Sequence, residues 1–279
     1  MKQLILILIS VFCVSVSNAQ YIHPCEIPLD KFTVLDSTRM KFTYLFRYTK
    51  GYCKNESDTA LLEDKQSLII GTKISKYYSD YYFDYCKSQM SGKKNDEPYK
   101  QMEESACGFE IFKNYPTNKM TVTDQSGVNN LGGNYNYNEN SPSFKWKMEA
   151  DTTTILTYTC QKATTTFRGR NYTAWFAAEI PSNNGPWKFG GLPGLILKIS
   201  DESNSFLFEC IGVKQLEKPE PVKFYNLRYI TLKRDELDKI YRRYFKDPIQ
   251  FWTQIGSQHL GQITASDLPK MTYNPIELE

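Results

Sequence analysis

From Lys41 to Tyr48 the chain alternates Phe42, Tyr44 and Phe46 with Thr43, Leu45 and Arg47. That two-residue period predicts a strand with one aromatic face. Lys65–Gly71 and Thr72–Lys76 read as strand material broken at Gly71. At Tyr78 the period lengthens: Tyr78, Tyr81, Tyr82, Tyr85 and Cys86 fall at helical spacing, which predicts an amphipathic helix docked on a sheet, with Ser75 or Ser79 as its cap. Ser91–Glu104 is charged and turn-rich, hence a loop. Phe109–Asn114 and Lys119–Thr123 flank Tyr115-Pro116-Thr117-Asn118 and predict a hairpin. Ser126–Asn140 is an exposed strand or a long loop, and Phe144, Trp146 and Met148 alternate again.

The most continuous β pattern runs over Thr152–Phe167 and Asn171–Ile180, joined by a turn at Arg168-Gly169-Arg170. After a stretch rich in Pro and Gly, Leu195–Ile199 and Ser205–Val213 form a further pair around Asp201–Asn204. The order is that of an antiparallel meander, with no βαβ alternation. Near the end, Leu237, Ile240, Tyr241, Tyr244 and Phe245 take helical spacing behind a Thr231 cap, and Asp247-Pro248 restarts a short helix. The expected fold is mainly β (α+β). It is a curved antiparallel sheet or open half-barrel packed by one or two helices, including a C-terminal helical segment over about 231–255. With no repeat and no linker, residues 20–279 read as a single β-rich domain.

Residues 1–19 have another purpose. A basic start, an apolar run from Leu4 to Val16, and Ser17-Asn18-Ala19 before Gln20 match a secretory signal peptide, too short in its apolar part to span a bilayer. Its removal takes Cys13 with it and leaves Cys25, Cys53, Cys86, Cys107, Cys160 and Cys210. An even set in an exported chain predicts disulfides, foremost among the first four. Cys160 and Cys210 fall in strand-like segments and fit buried thiols equally well. Their spacing and the presence of only two histidines argue against a metal site. Neither a metal nor a cofactor is expected.

Composition narrows the partners. The chain of 279 residues carries 34 Lys+Arg against 31 Asp+Glu, a net charge of +3, which gives no case for nucleic acid. An aromatic content of 14% suits either a packed sheet or a binding surface, and the alternation assigns most of it to packing.

Residues 185–196 concentrate the rigid positions: Gly185-Pro186-Trp187-Lys188-Phe189, the pair Gly190-Gly191, then Leu192-Pro193-Gly194 opening a strand at Leu195. Glycine permits positive φ or close approach, and Pro193 removes a donor, so this is a tight corner. Gly191, Leu192, Pro193, Gly194, Leu195 and Ile196 spell GLPGLI, and with Ala174-Trp175-Phe176 and Ile199-Ser200-Asp201 nearby the region over about 155–215 resembles the GLPGLI family of exported bacterial proteins. The resemblance implies a Gram-negative cell-envelope location, periplasmic or at the cell surface, and supplies no catalytic residues.

The residues themselves offer little chemistry. His23 and His259 lie near the two ends, away from any nucleophile motif. Glu179 and Asp201 flank the motif with Trp175, Trp187 and Phe189, a set that fits a sugar-binding or hydrolytic cleft or equally strand ends and core. Arg168, Arg170 and Lys188 read as solvated or paired turn charges. The leading expectation is a non-enzymatic envelope protein that binds an apolar ligand, a peptide or an outer-membrane or periplasmic partner. The alternatives are a hydrolase acting on glycans or peptides, and a structural accessory of an outer-membrane transporter.

Overall fold

The aromatic alternation around Phe42, Tyr44 and Phe46 marks the centre of the sheet. In the computed structural model, which describes residues 28–49, 52–53, 61–90, 108–125, 133–255, 270–271 and 273–278, these side chains belong to β1 (Phe32–Thr49). β1 pairs antiparallel with β12 (Phe206–Tyr225) from Phe32 opposite Tyr225 to Tyr48 opposite Phe206. Register shifts at Val34/Asp36, Thr38/Met40 and Thr43/Tyr44 bend the pair, as bulges do.

A meander flanks each side of this pair. On one side run β3 (Leu61–Gly71), β4 (Ser75–Ser79), β5 (Phe109–Lys113), β6 (Lys119–Asp124) and β7 (Asn134–Asn140). On the other lie β11 (Leu195–Asp201), β10 (Arg170–Ala177), β9 (Tyr158–Phe167) and β8 (Lys147–Ile155). β13 (Tyr229–Thr231) adds in parallel to β7, completing a twelve-stranded open sheet. β2 (Tyr52–Cys53) and β14 (Lys270–Met271) form a separate two-stranded pair. The sheet is not a closed barrel. Its wings are joined by Ser141–Trp146, along which Phe144 stacks on Phe167 and Phe189 and the Trp146 indole donates to Gly190 O at 2.9 Å.

Three helices among the described residues pack against the sheet. α1 (Asp80–Met90) begins where Ser79 Oγ accepts the Tyr82 amide at 3.0 Å, and it buries Tyr82, Phe83, Tyr85 and Cys86. α2 (Arg234–Lys246) and α3 (Pro248–Gln254) lie against the concave face through Leu237, Phe251 and Trp252. Asp247 accepts the Gln250 amide at 2.9 Å, so the expected restart at Asp247-Pro248 holds. No helix among the described residues is long and apolar enough to cross a membrane.

Several expectations require correction. Thr152–Phe167 is two strands, because Leu156 takes φ 55° and turns β8 back onto β9 where the composition gives no warning. Thr231 ends β13, and the start of α2 is instead closed by the Lys233 amide donating to Glu236 Oε2 at 2.7 Å. β12 extends to Tyr225, well past Val213. Cys160 and Cys210 are buried free thiols rather than disulfide partners, since both point into the apolar side of the sheet. Cys86 is fully buried and disulfide-bonded. The leader segment, Cys25, Cys107, the loop at 91–104, His23 and His259 lie outside the described residues, as does the Cys53 side chain.

Candidate functional site

The corner between β10 and β11 is built by close backbone approach. A Cβ on Gly194 would stand 2.3 Å from Ala177 O, and Gly191 holds φ +86°, so side chains are excluded at one position and strained at the other. Leu192, Leu195 and Ile196 are buried beneath it. Phe189 is fully buried among Phe144, Phe167, Tyr172, Trp187 and Phe208. The motif is therefore a packing device first.

Its one charged residue is the exception. Lys188 is buried, its side chain 2% exposed, and its Nζ lies 2.7 Å from Glu139 Oε1, 2.5 Å from Glu277 Oε1 and 2.9 Å from the Tyr137 hydroxyl. Arg168 donates to Glu139 Oε2 at 2.6 Å and to Glu277. Arg234, on α2, reaches Glu277 Oε2 at 3.1 Å. Glu139 comes from β7, Arg168 from the β9–β10 turn and Lys188 from the corner, so the network stitches the two wings of the open sheet. Burial pulls the Lys188 ammonium toward neutrality, but Tyr137, Glu277 and Glu139 outweigh it and raise its pKa. Burial likewise pushes the Glu139 carboxyl up, and Lys188 and Arg168 overcome that and hold it below the usual carboxylate range. Both groups are ionised at neutral pH.

Beside this charged floor lie two adjoining cavities under α2, of about 180 and 200 Å³. They share Phe109, Trp187, Tyr241, Tyr273, Pro275 and Ile276 as walls. Lys188, Arg234 and Glu277 line the first, and Phe46, Phe206 and Phe208 the second. The aromatic walls are themselves anchored: Tyr241 donates to Asp124 Oδ2 at 2.5 Å and Tyr273 to Asp238 Oδ1 at 2.7 Å. The arrangement is a mostly apolar hollow with a few convergent charges, the composition of a small-ligand site.

Of the residues the sequence offers as a binding surface (Trp175, Glu179, Trp187, Phe189 and Asp201), only Trp187 lines this hollow. Trp175 lies on the opposite face of β10, level with Lys162 of β9 and Lys198 of β11. Glu179 is exposed and accepts the Thr159 amide at 3.3 Å. Asp201 is buried, pairs with Arg170 at 3.2 Å and accepts the Phe206 amide at 2.8 Å. Asp201 stands opposite Tyr172 at one end of β10, whereas Glu179 follows Ala177 at the other. At about 3.3 Å per strand residue they are roughly 20 Å apart, so they form no catalytic pair. Arg168, Arg170 and Lys188 are paired rather than solvated. Glu139, Glu277, Arg234 and Tyr273 went unnoticed in the sequence, where nothing links positions so distant in the chain, and Tyr241 was read only as part of a helical stripe. Among the described residues no cluster of His, Cys, Asp and Glu is placed to hold a metal ion.

Comparison with known proteins adds little. A search of curated proteins finds no match. Two crystal forms of PNGF-II superpose with TM-scores of 0.46 and 0.44 at 13% and 16% identity. Each alignment covers 74% of this chain and 33% of the other, so the chain spans about a third of the length of the structures it matches. Over residues 167–198, the stretch that holds Arg168, Arg170, Trp187 and Lys188, the chain matches the family described as "Protein of unknown function (Porph_ging)".

Proposed function

We propose that this chain is an exported cell-envelope protein of the GLPGLI type that binds the apolar part of a ligand or an extended peptide in the cleft beneath α2, without catalysing a reaction. One observation carries the reading: two adjoining aromatic-walled cavities beside a buried network of paired charges. The leader-like residues 1–19 and the disulfide-bonded Cys86 support export. A periplasmic location and an outer-membrane partner belong to the same reading.

A hydrolase is the second reading, and one distance favours it. Glu139 and Glu277 share Lys188, so their nearer oxygens lie within about 5 Å, the spacing of a retaining glycosidase pair. Their electrostatics argue against it. A general acid needs a raised pKa, whereas Glu139 is held below the carboxylate range and both carboxylates are locked to Lys188 and Arg168.

The test is a fluorescence titration with 1-anilinonaphthalene-8-sulfonate, an apolar bicycle carrying one anionic group. The expected result is saturable one-site binding that quenches Trp187 and is lost in Leu237→Trp, which fills the cavity. Undiminished binding in a folded Leu237→Trp protein would place the probe elsewhere and sink the cleft reading.

A further inference from the structure

The residues on the floor of the cleft do more than pair with one another: they hold a strap of the chain, Tyr273–Leu278, in an irregular run outside any sheet, with a bend at Ile276. Its main chain is read by side chains. Arg170 donates from Nε and Nη2 to Pro275 O at 3.2 and 2.8 Å, and the Tyr172 hydroxyl donates to Ile276 O at 2.9 Å. The Leu278 amide donates to Arg168 O at 3.0 Å. Two strap side chains are read as well. Arg170 Nη2 donates to Asn274 Oδ1 at 2.5 Å, and Glu277 takes Lys188, Arg168 and Arg234 together. Asp201 holds the Arg170 guanidinium from its far side.

This is how a groove recognises a peptide: main-chain hydrogen bonds give affinity, and pockets for particular side chains give selectivity. The strap also underfills its groove. Tyr273, Pro275 and Ile276 wall both cavities, so space remains on either side of a medium-sized Ile. A segment belonging permanently to the core would close such gaps, because interiors pack to crystal-like density.

We propose that this groove is a peptide-binding site with the strap as its resident, exchangeable occupant. It accepts an irregular, strap-like segment of another protein that carries a carboxylate at the place of Glu277 and a larger apolar side chain at the place of Ile276. The inference rests on the binding reading of the cleft and narrows its ligand to an acidic peptide. Three cations against Glu139 and one further carboxylate give the groove its demand for a negative charge.

The test uses the full chain and fluorescein-labelled peptides in an anisotropy titration. The first has the strap sequence Tyr-Asn-Pro-Ile-Glu-Leu, the second Trp in place of Ile, and the third Gln in place of Glu. An Ile276→Gly protein, with a loosened strap, is expected to bind the Trp peptide at least tenfold more tightly than the unsubstituted protein. The Gln peptide should bind it tenfold more weakly than its Glu counterpart, and Arg170→Met added to Ile276→Gly should abolish binding. If the folded Ile276→Gly protein binds anilinonaphthalene sulfonate in the cleft but takes no peptide, the exchange is refuted while the cleft survives. If neither binds, the cleft reading falls with it. Hydrogen exchange in the unsubstituted protein gives a readout that needs no variant. The Leu278 amide should exchange at least a hundredfold faster than the amides of β10, whereas exchange only with global unfolding would make the strap a fixed part of the fold.

Discussion

Lys188, in the corner between β10 and β11, and Lys76, on β4, are both buried lysines, and their surroundings drive them in opposite directions. Lys76 lies on the convex face, against Glu110 and Lys223 O, with its ammonium 4.9–5.2 Å from the ring centres of Tyr78, Phe83, Phe112 and Tyr225. Burial lowers its pKa, and Glu110 only partly offsets that. Lys188, on the concave face, meets two carboxylates and a tyrosine, which outweigh burial and raise it. The contrast teaches that the count of counter-charges, not burial, sets the state of a buried lysine here. It also separates roles. Aromatic rings fill the space around Lys76, a core solution, whereas open cavities flank Lys188.

The largest expected effect is at Lys188. Lys188→Met leaves Glu139 and Glu277 buried with only Arg168 and Arg234 to answer them, and should cost about 3–5 kcal/mol, read from the urea midpoint. The sign with pH follows from Glu139. Its pKa is depressed on folding, so its contribution is fully present above the unfolded carboxylate value of about 4.3 and is lost as pH falls through the lower folded value. Lys188→Met removes the main cause of that depression, so its stability deficit against the unsubstituted protein should narrow as pH falls through the carboxylate range.

The Lys76 pair should behave differently. Lys76→Met alone strands Glu110, at a cost of about 3 kcal/mol, while the double change Lys76→Met with Glu110→Gln should fall within about 1 kcal/mol of the unsubstituted protein. The matching double change Lys188→Met with Glu139→Gln should stay costly, because Arg168 loses its Glu139 partner and two arginines are left facing Glu277 alone. Equal recovery in both doubles would erase the distinction between the two sites.

Lys113 is the third case, with no carboxylate. Its Nζ donates to Gly185 O and Phe189 O, both at 2.7 Å, and burial lowers its pKa to about 7. Because the unfolded chain holds that proton up to about pH 10.4, stability should rise between about pH 7 and 10, by less than about 1.4 kcal/mol per pH unit for a side chain that keeps some solvent contact. Lys113→Met should flatten this slope in thermal unfolding followed against pH. Smaller still, Gly191→Ala should cost about 1 kcal/mol through its positive φ.

Much of the fold was legible because its signals are local. The Phe42–Tyr44–Phe46 alternation, the Ser79 cap, the Arg168-Gly169 turn and the α2 stripe each depend on neighbours within a few residues. The break at Leu156 was not legible, since a non-glycine residue takes positive φ there under tertiary constraint. The corner was recognised through its glycines and Trp187, but its meaning was not. Lys188 acquires a role only when β7 brings Glu139 and the strap brings Glu277, from the middle and the end of the sequence. Trp175 stands apart from the hollow for a related reason: strand parity places it level with Lys162 and Lys198 on the opposite face of β10.

The most direct test of a binding cleft on the concave face is nuclear magnetic resonance of the side-chain methyl and aromatic groups during titration with anilinonaphthalene sulfonate. Shifts confined to Trp187, Leu237, Tyr241 and Ile276 are the predicted result. Shifts centred on Phe83, Phe112 and Tyr225 around Lys76, or no saturable shifts at all, would contradict it.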